Sequence, residues 1–158
     1  MNRDSHSVFD EKRGIIMGYL GPGEDLITGL KKACQKHNVS SGTVSCIGSL
    51  STVSVYQPEY ENDQPAYSKP IVWNSLVELL SGNGILGKDE EGHLDIHFHG
   101  VFIDHRKNLS GGHFIEGKNI VAITVEFTIL VSEGIQPVRE FYKPLGYHLF
   151  NFYNESEV

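Results

Sequence analysis

From His93 to Phe102 the chain reads HLDIHFHGVF, and this alternation limits the segment to one kind of structure. Successive side chains of a β-strand point to opposite faces. Leu94, Ile96, Phe98 and Phe102 therefore share one face, while His93, Asp95, His97 and His99 share the other. The apolar face must join a core. The polar face sets imidazoles two residues apart, roughly 6.6 Å at Cα, a separation from which both can lean toward a single ion. A third imidazole follows at His113, after a connection short enough for a hairpin-like return. Gly111 and Gly112 stand beside it, where the backbone could approach a ligand closely.

The chain around this segment is strand-rich. GIIMGYL, Gly14 to Leu20, reads as a strand closed by GPGED. A helix follows, with Glu24 and Asp25 expected in its first turn and Leu26, Ile27, Leu30, Ala33 and Cys34 on one stripe; Asn38 ends it. SGTVSCIGSLSTVSVYQ returns to β-branched alternation with a kink or bulge at Gly48. Residues 57–70, rich in proline and acids, read as a polar loop that could cover a site. SGNG, residues 81–84, has turn chemistry, HRKNLSGG another turn, and NIVAITVEFTILV a long strand. Residues 1–12 are expected to be flexible, and the aromatic segment 135–158 to lie against the body or a neighbouring subunit. No repeat divides the chain, so residues 1–158 read as a single domain.

With 39% hydrophobic and 21% charged residues the composition is that of a globular protein. Its longest apolar run, Ile120 to Val131, is broken by Thr124, Glu126 and Thr128 and is too short to span a bilayer. MNRDSHSVFDEKRG lacks the apolar stretch of an export signal, so the expectation is a cytoplasmic protein with Cys34 and Cys46 as buried free thiols. A net charge of −7 opposes a duplex as partner, because such binding rests on cations displacing counterions from phosphates.

Two readings of the histidines stand side by side. An amphipathic strand needs a polar face, and imidazoles can fill it. Alternatively, His97, His99 and His113 hold a transition metal; zinc is the conservative choice, since imidazole suits copper, iron and nickel as well. Three ligands would leave a position open for a catalytic water, a small-molecule carboxylate or a histidine from another subunit. Asp95 could then orient an imidazole, His93 could serve as an alternative ligand, and Glu116, three residues past His113, could carry a proton if the protein is an enzyme.

GPGEDLITGLKKACQKHNVSSGTVSCIGSLSTVSV together with HLDIHFHGVFIDHRKNLSGGHFIEG resembles the PPC (plants and prokaryotes conserved) domain family, which includes predicted bacterial DNA-binding proteins and plant AT-hook nuclear proteins. His97, His99, Asp104, Gly111, Gly112, His113 and Gly117 match the family's His-rich strand, aspartate and Gly-Gly-His turn; Asp95 replaces its first histidine, and His93 lies one strand step earlier. The resemblance implies an α/β fold of the α+β type, with a mainly antiparallel sheet flanked by helices, assembled as a homotrimer. It also implies zinc on His97, His99 and His113 near a subunit boundary. The Arg-Gly-Arg-Pro hook of the plant members does not occur in these 158 residues. The favoured expectation is a trimeric metal- and ligand-binding module with a regulatory role, its own chain and a small molecule as partners and nucleic acid disfavoured. The alternative is a zinc-dependent enzyme acting on a small molecule.

Overall fold

The structure is a computed structural model and describes residues 3–154 and 156. Its strands are β1 (His6–Asp10), β2 (Ile15–Leu20), β3 (Gly42–Tyr56), β4 (Pro58–Glu61), β5 (Gln64–Tyr67), β6 (Ile71–Trp73), β7 (Val77–Asp89), β8 (Leu94–Asp104), β9 (Leu109–Phe114), β10 (Ile120–Val131), β11 (Ile135–Tyr142) and β12 (Tyr147–Asn154). The main sheet runs β1-β2-β10-β3-β9-β8-β7-β11-β12, and β3 also pairs with β7. Strands β3, β9, β8 and β7 thus pair in a ring. All pairings are antiparallel except that of β11 with β7.

The core fills this ring and the gap beneath the helix. Leu79, Leu86, Phe98 and Phe102 are fully buried, with Phe114 almost so. Phe98 and Phe114 meet edge to face with ring centroids 5.3 Å apart, a favoured aromatic arrangement. Ile16, Leu20, Val125 and Ile129 extend the core beneath α1 (Leu26–Lys36), whose buried stripe is the expected one. Both cysteines are buried and free, and burial pushes each thiol up to about 12.

Expectations for four segments need correction. The sheet is flanked by one helix among the described residues, not by several. That helix begins after Asp25, which caps it, so neither Glu24 nor Asp25 lies in its first turn. Asp25 Oδ1 accepts from Thr28 N at 2.9 Å and its Oδ2 accepts from Asn119 N at 2.9 Å, tying the helix start to β10. Asp25→Ala is expected to cost about 1–2 kcal/mol in chemical denaturation, the range of a lost cap, and Asp25→Asn should recover only part of it, because its amide nitrogen cannot accept from the second N–H. Within residues 1–12, taken as flexible, His6 to Asp10 pair along β2.

Residues 57–70 hold the β4–β5 hairpin rather than a plain loop, with Asn62 and Asp63 both at positive φ (50° and 60°), as a two-residue hairpin turn requires. SGNG is no turn but the middle of β7. A Cβ on Gly82 would stand 2.4 Å from Phe98 Cζ, so this glycine makes room for an aromatic ring in the next strand. The bulge at Gly48 is present, with φ 148° and shifted register against β10 and β7. Within the aromatic segment 135–158, β11 and β12 form a hairpin that widens the sheet beyond β7. No helix among the described residues is long and apolar enough to cross a membrane.

Candidate metal centre

Strand β8 buries Ile96, Phe98 and Phe102, which obliges Asp95, His97 and His99 to face the other way. Strand β9 returns alongside with His99 opposite His113 and Gly100 opposite Gly112. The three expected imidazoles therefore converge. His97 Nε2 lies 3.1 Å from His99 Nε2, and His113 Nδ1 lies 3.3 Å from that same nitrogen. Metal–nitrogen bonds of about 2.0–2.1 Å at tetrahedral angles place neighbouring nitrogens about 3.3 Å apart. The trio fits a small divalent ion on distance and on donor chemistry.

Protonation agrees with this fit. Burial, then the charge of Arg139 and the nearness of His99, lower His97 to about 4. Burial and the other two imidazoles, with Arg139, lower His113 to about 4 as well. Burial also lowers His99. At neutral pH the lone pairs are free to bind. An unfolded chain takes up protons at these imidazoles near 6.5, before the folded chain does, so the metal-free protein loses stability as pH falls from about 6.5 toward 4. The urea midpoint should drop across that window, and less steeply in a His97→Ala/His113→Ala variant; parallel curves would refute this assignment.

The surrounding residues sort differently from expectation. Asp95 is drawn to cations: Arg139 Nη1 donates to Oδ2 at 3.0 Å, and Lys31 Nζ stands 3.6 Å from Oδ1. Its charge still opposes the lowering at His97 and His113. His93 sits in the β7–β8 turn, where its N–H donates to Asp89 Oδ1 at 2.7 Å and its ring stands 3.3 Å from Oδ2, away from the trio. Glu116 accepts from Lys31 Nζ at 2.7 Å and does not line the cavity described below. Gly111 and Gly112 let neighbouring strands approach closely. A Cβ on Gly111 would lie 2.3 Å from the Gly100 carbonyl oxygen, and one on Gly112 2.4 Å from that of Tyr56.

A cavity of about 940 Å³ opens over His97 and His113. Both hairpins wall it. From β5, the Tyr67 ring lies 5.4 Å from His113 and meets Tyr147 of β12 edge to face at 5.3 Å. Phe150 of β12 lies 6.5 Å from His97, and the Arg139 guanidinium lies 5.8 Å from the Phe150 ring. Sequence reasoning did not name Tyr67, Arg139, Tyr147 or Phe150 as site residues. Their only signal was the aromatic density of the tail and the suspicion that residues 57–70 cover a site.

The profile of the Plants and Prokaryotes Conserved (PCC) domain matches residues 10–133. No curated protein matches the chain. Among solved structures, a candidate DNA-binding protein from Bacteroides thetaiotaomicron superposes with a TM-score of 0.81 at 15% identity, over 95% of this chain and 99% of that one. A plant- and prokaryote-conserved (PPC) protein of Pyrococcus horikoshii gives 0.74 at 21%, over 93% and 94%. A metal-containing protein of Archaeoglobus fulgidus gives 0.74 at 17%, over 94% and 99%. These likenesses establish the shared fold, and the profile match over most of the length establishes that the chain belongs to the Plants and Prokaryotes Conserved (PCC) domain family.

Proposed function

We propose that the protein is a homotrimeric metal- and small-ligand-binding module with a regulatory role, holding zinc or a similar ion on His97, His99 and His113. One observation carries the reading: three imidazole nitrogens gathered at 3.1 and 3.3 Å, beside a cavity large enough for a small molecule. The metal content named for the Archaeoglobus relative is in keeping with it. When bound, the ion would supply a Lewis-acidic position open to a further donor. His97, His99 and His113 would hold it, and Arg139 keeps the neighbouring Asp95 carboxylate neutralised.

Cross-strand register supports the trimer. Val8, Met17, Thr128, Ser45, Asn83, His99 and His113 are successive partners across β1, β2, β10, β3, β7, β8 and β9, so they share one face. On that face Val8, Met17, Ile47 and Leu130 are exposed apolar side chains, in line with the histidines. A second copy seated there would approach the metal site from its open side.

The enzyme alternative needs Glu116 or Asp95 as proton carrier, and the ion pairs of Glu116 with Lys31 at 2.7 Å and of Asp95 with Arg139 at 3.0 Å favour binding over turnover. Direct DNA contact, suggested by the label on the Bacteroides relative, meets a chain of charge −7 and three times that in a trimer. Fluorescence anisotropy on a labelled duplex at physiological salt should give a Kd no tighter than about 10⁻⁴ M, the weak end of non-specific binding. Elemental analysis with light scattering, on the native protein and a His97→Ala/His113→Ala variant, tests the main reading. One ion per chain in a native trimer, lost from the variant, supports it. A native protein that takes up no added zinc refutes it.

A further inference from the structure

The cavity says more about its ligand than that it is small, if the metal reading above holds. At about 940 Å³ it sits near the upper end of ligand-sized pockets. Aromatic faces flank two of the three imidazoles: Tyr67 beside His113 at 5.4 Å, and Phe150 beside His97 at 6.5 Å. Ring centroids at 4.5–7 Å are already in contact with one another, so Tyr67, His113, His97 and Phe150 present an aromatic wall against which a ligand ring can lie. Arg139 is the one Lys or Arg side chain among the residues lining the cavity. Its guanidinium lies 5.8 Å from the Phe150 ring, itself 6.5 Å from His97, and donates to Asp95 Oδ2 at 3.0 Å, which puts it at the histidine end of the cavity.

Neutral imidazoles leave a bound divalent ion with its full charge, which draws an anionic oxygen donor. Apart from Arg139, the charged side chains of the wall are acidic. Asp89, Glu90 and Glu91 line the cavity at the β7–β8 turn, where Asp89 accepts from His93 N–H and Glu90 accepts from Phe141 N–H. A ligand with one negative group can satisfy the metal end; a second negative group would meet these carboxylates. We propose that the cavity takes a small aromatic monocarboxylate, with its carboxylate at the metal beside Arg139 and its ring against Tyr67 and Phe150.

Calorimetric titration of the zinc-loaded full-length chain decides this with three probes: benzoate, cyclohexanecarboxylate and terephthalate. Zinc is measured on the same samples by elemental analysis. Benzoate is expected to bind about tenfold more tightly than cyclohexanecarboxylate, the combined effect of two ring contacts. Terephthalate is expected to bind at least about tenfold more weakly than benzoate, through repulsion by the acidic turn. Tyr67→Leu and Phe150→Leu lie on separate hairpins, and each should weaken benzoate by about threefold or more while zinc is retained. A chain that holds zinc but binds no benzoate, treats benzoate and cyclohexanecarboxylate alike, or prefers terephthalate overturns the inference and leaves the metal reading standing. A chain without zinc overturns both.

Discussion

Phe98→Ala is expected to lower the free energy of unfolding by about 3–5 kcal/mol, the usual cost of emptying a fully buried aromatic site. Phe98 has no exposed surface, touches Phe114 edge to face at 5.3 Å, and occupies the space left by Gly82. Its neighbours along β8 are His97 and His99, so loosening this anchor should also spread the imidazoles. Urea denaturation measures the first effect and zinc titration the second. A double-mutant cycle sharpens the test. Gly82→Ala adds a Cβ that would stand 2.4 Å from the Phe98 ring, so its cost should shrink by about 1 kcal/mol or more when Phe98 is already alanine. A loss below about 1 kcal/mol for Phe98→Ala would show that β8 is not seated as described.

Gly112→Ala acts one residue from the metal trio. The new Cβ would lie 2.4 Å from the Tyr56 carbonyl oxygen, a backbone atom that can yield only if β9 moves away from β3. Overpacking of this kind costs about 1–3 kcal/mol. His113 pairs with Tyr56 at that point of the ladder, so zinc affinity should fall at least about tenfold as the ligand is displaced. Gly134→Ala is the control, since nothing lies within 4 Å of its Cβ position. Equal zinc affinity in the two variants would mean that the β3–β9 pairing does not hold the site.

Those two residues also separate what the sequence makes legible from what it conceals. The alternation around Phe98 was readable because a strand repeats every two residues, and the meeting of His99 with His113 followed from a short connection between adjacent strands. Gly82 was misread because a glycine that bends a turn and one that admits a distant ring look alike in the sequence. Its reason lies sixteen residues away, in Phe98. The close approach of the Gly100 and Tyr56 carbonyls to Gly111 and Gly112 was equally hidden, because it comes from neighbouring strands.

The interior polar link was hidden as well. Asn119 is fully buried; its Oδ1 accepts from Ser54 N at 2.9 Å, its Nδ2 donates to the Ile115 carbonyl, and its own N–H reaches Asp25. No local pattern in EGKNIV announces this, because Ser54 and Asp25 are distant in the chain. The cavity walls had the same non-local origin, with Tyr67 and Phe150 brought together by two hairpins that are far apart in the chain. Expecting several helices came from the family resemblance, whereas the sequence itself offered only one helical stripe.

X-ray absorption fine structure at the zinc edge, recorded on the zinc-loaded protein, tests the central claim most directly. The account predicts a first shell with three imidazole nitrogens at about 2.0–2.1 Å, the outer-ring scattering that imidazole produces, and one further light donor. A shell of six oxygens without that outer-ring pattern would place the ion elsewhere on the protein, and the claim that His97, His99 and His113 hold it would be wrong.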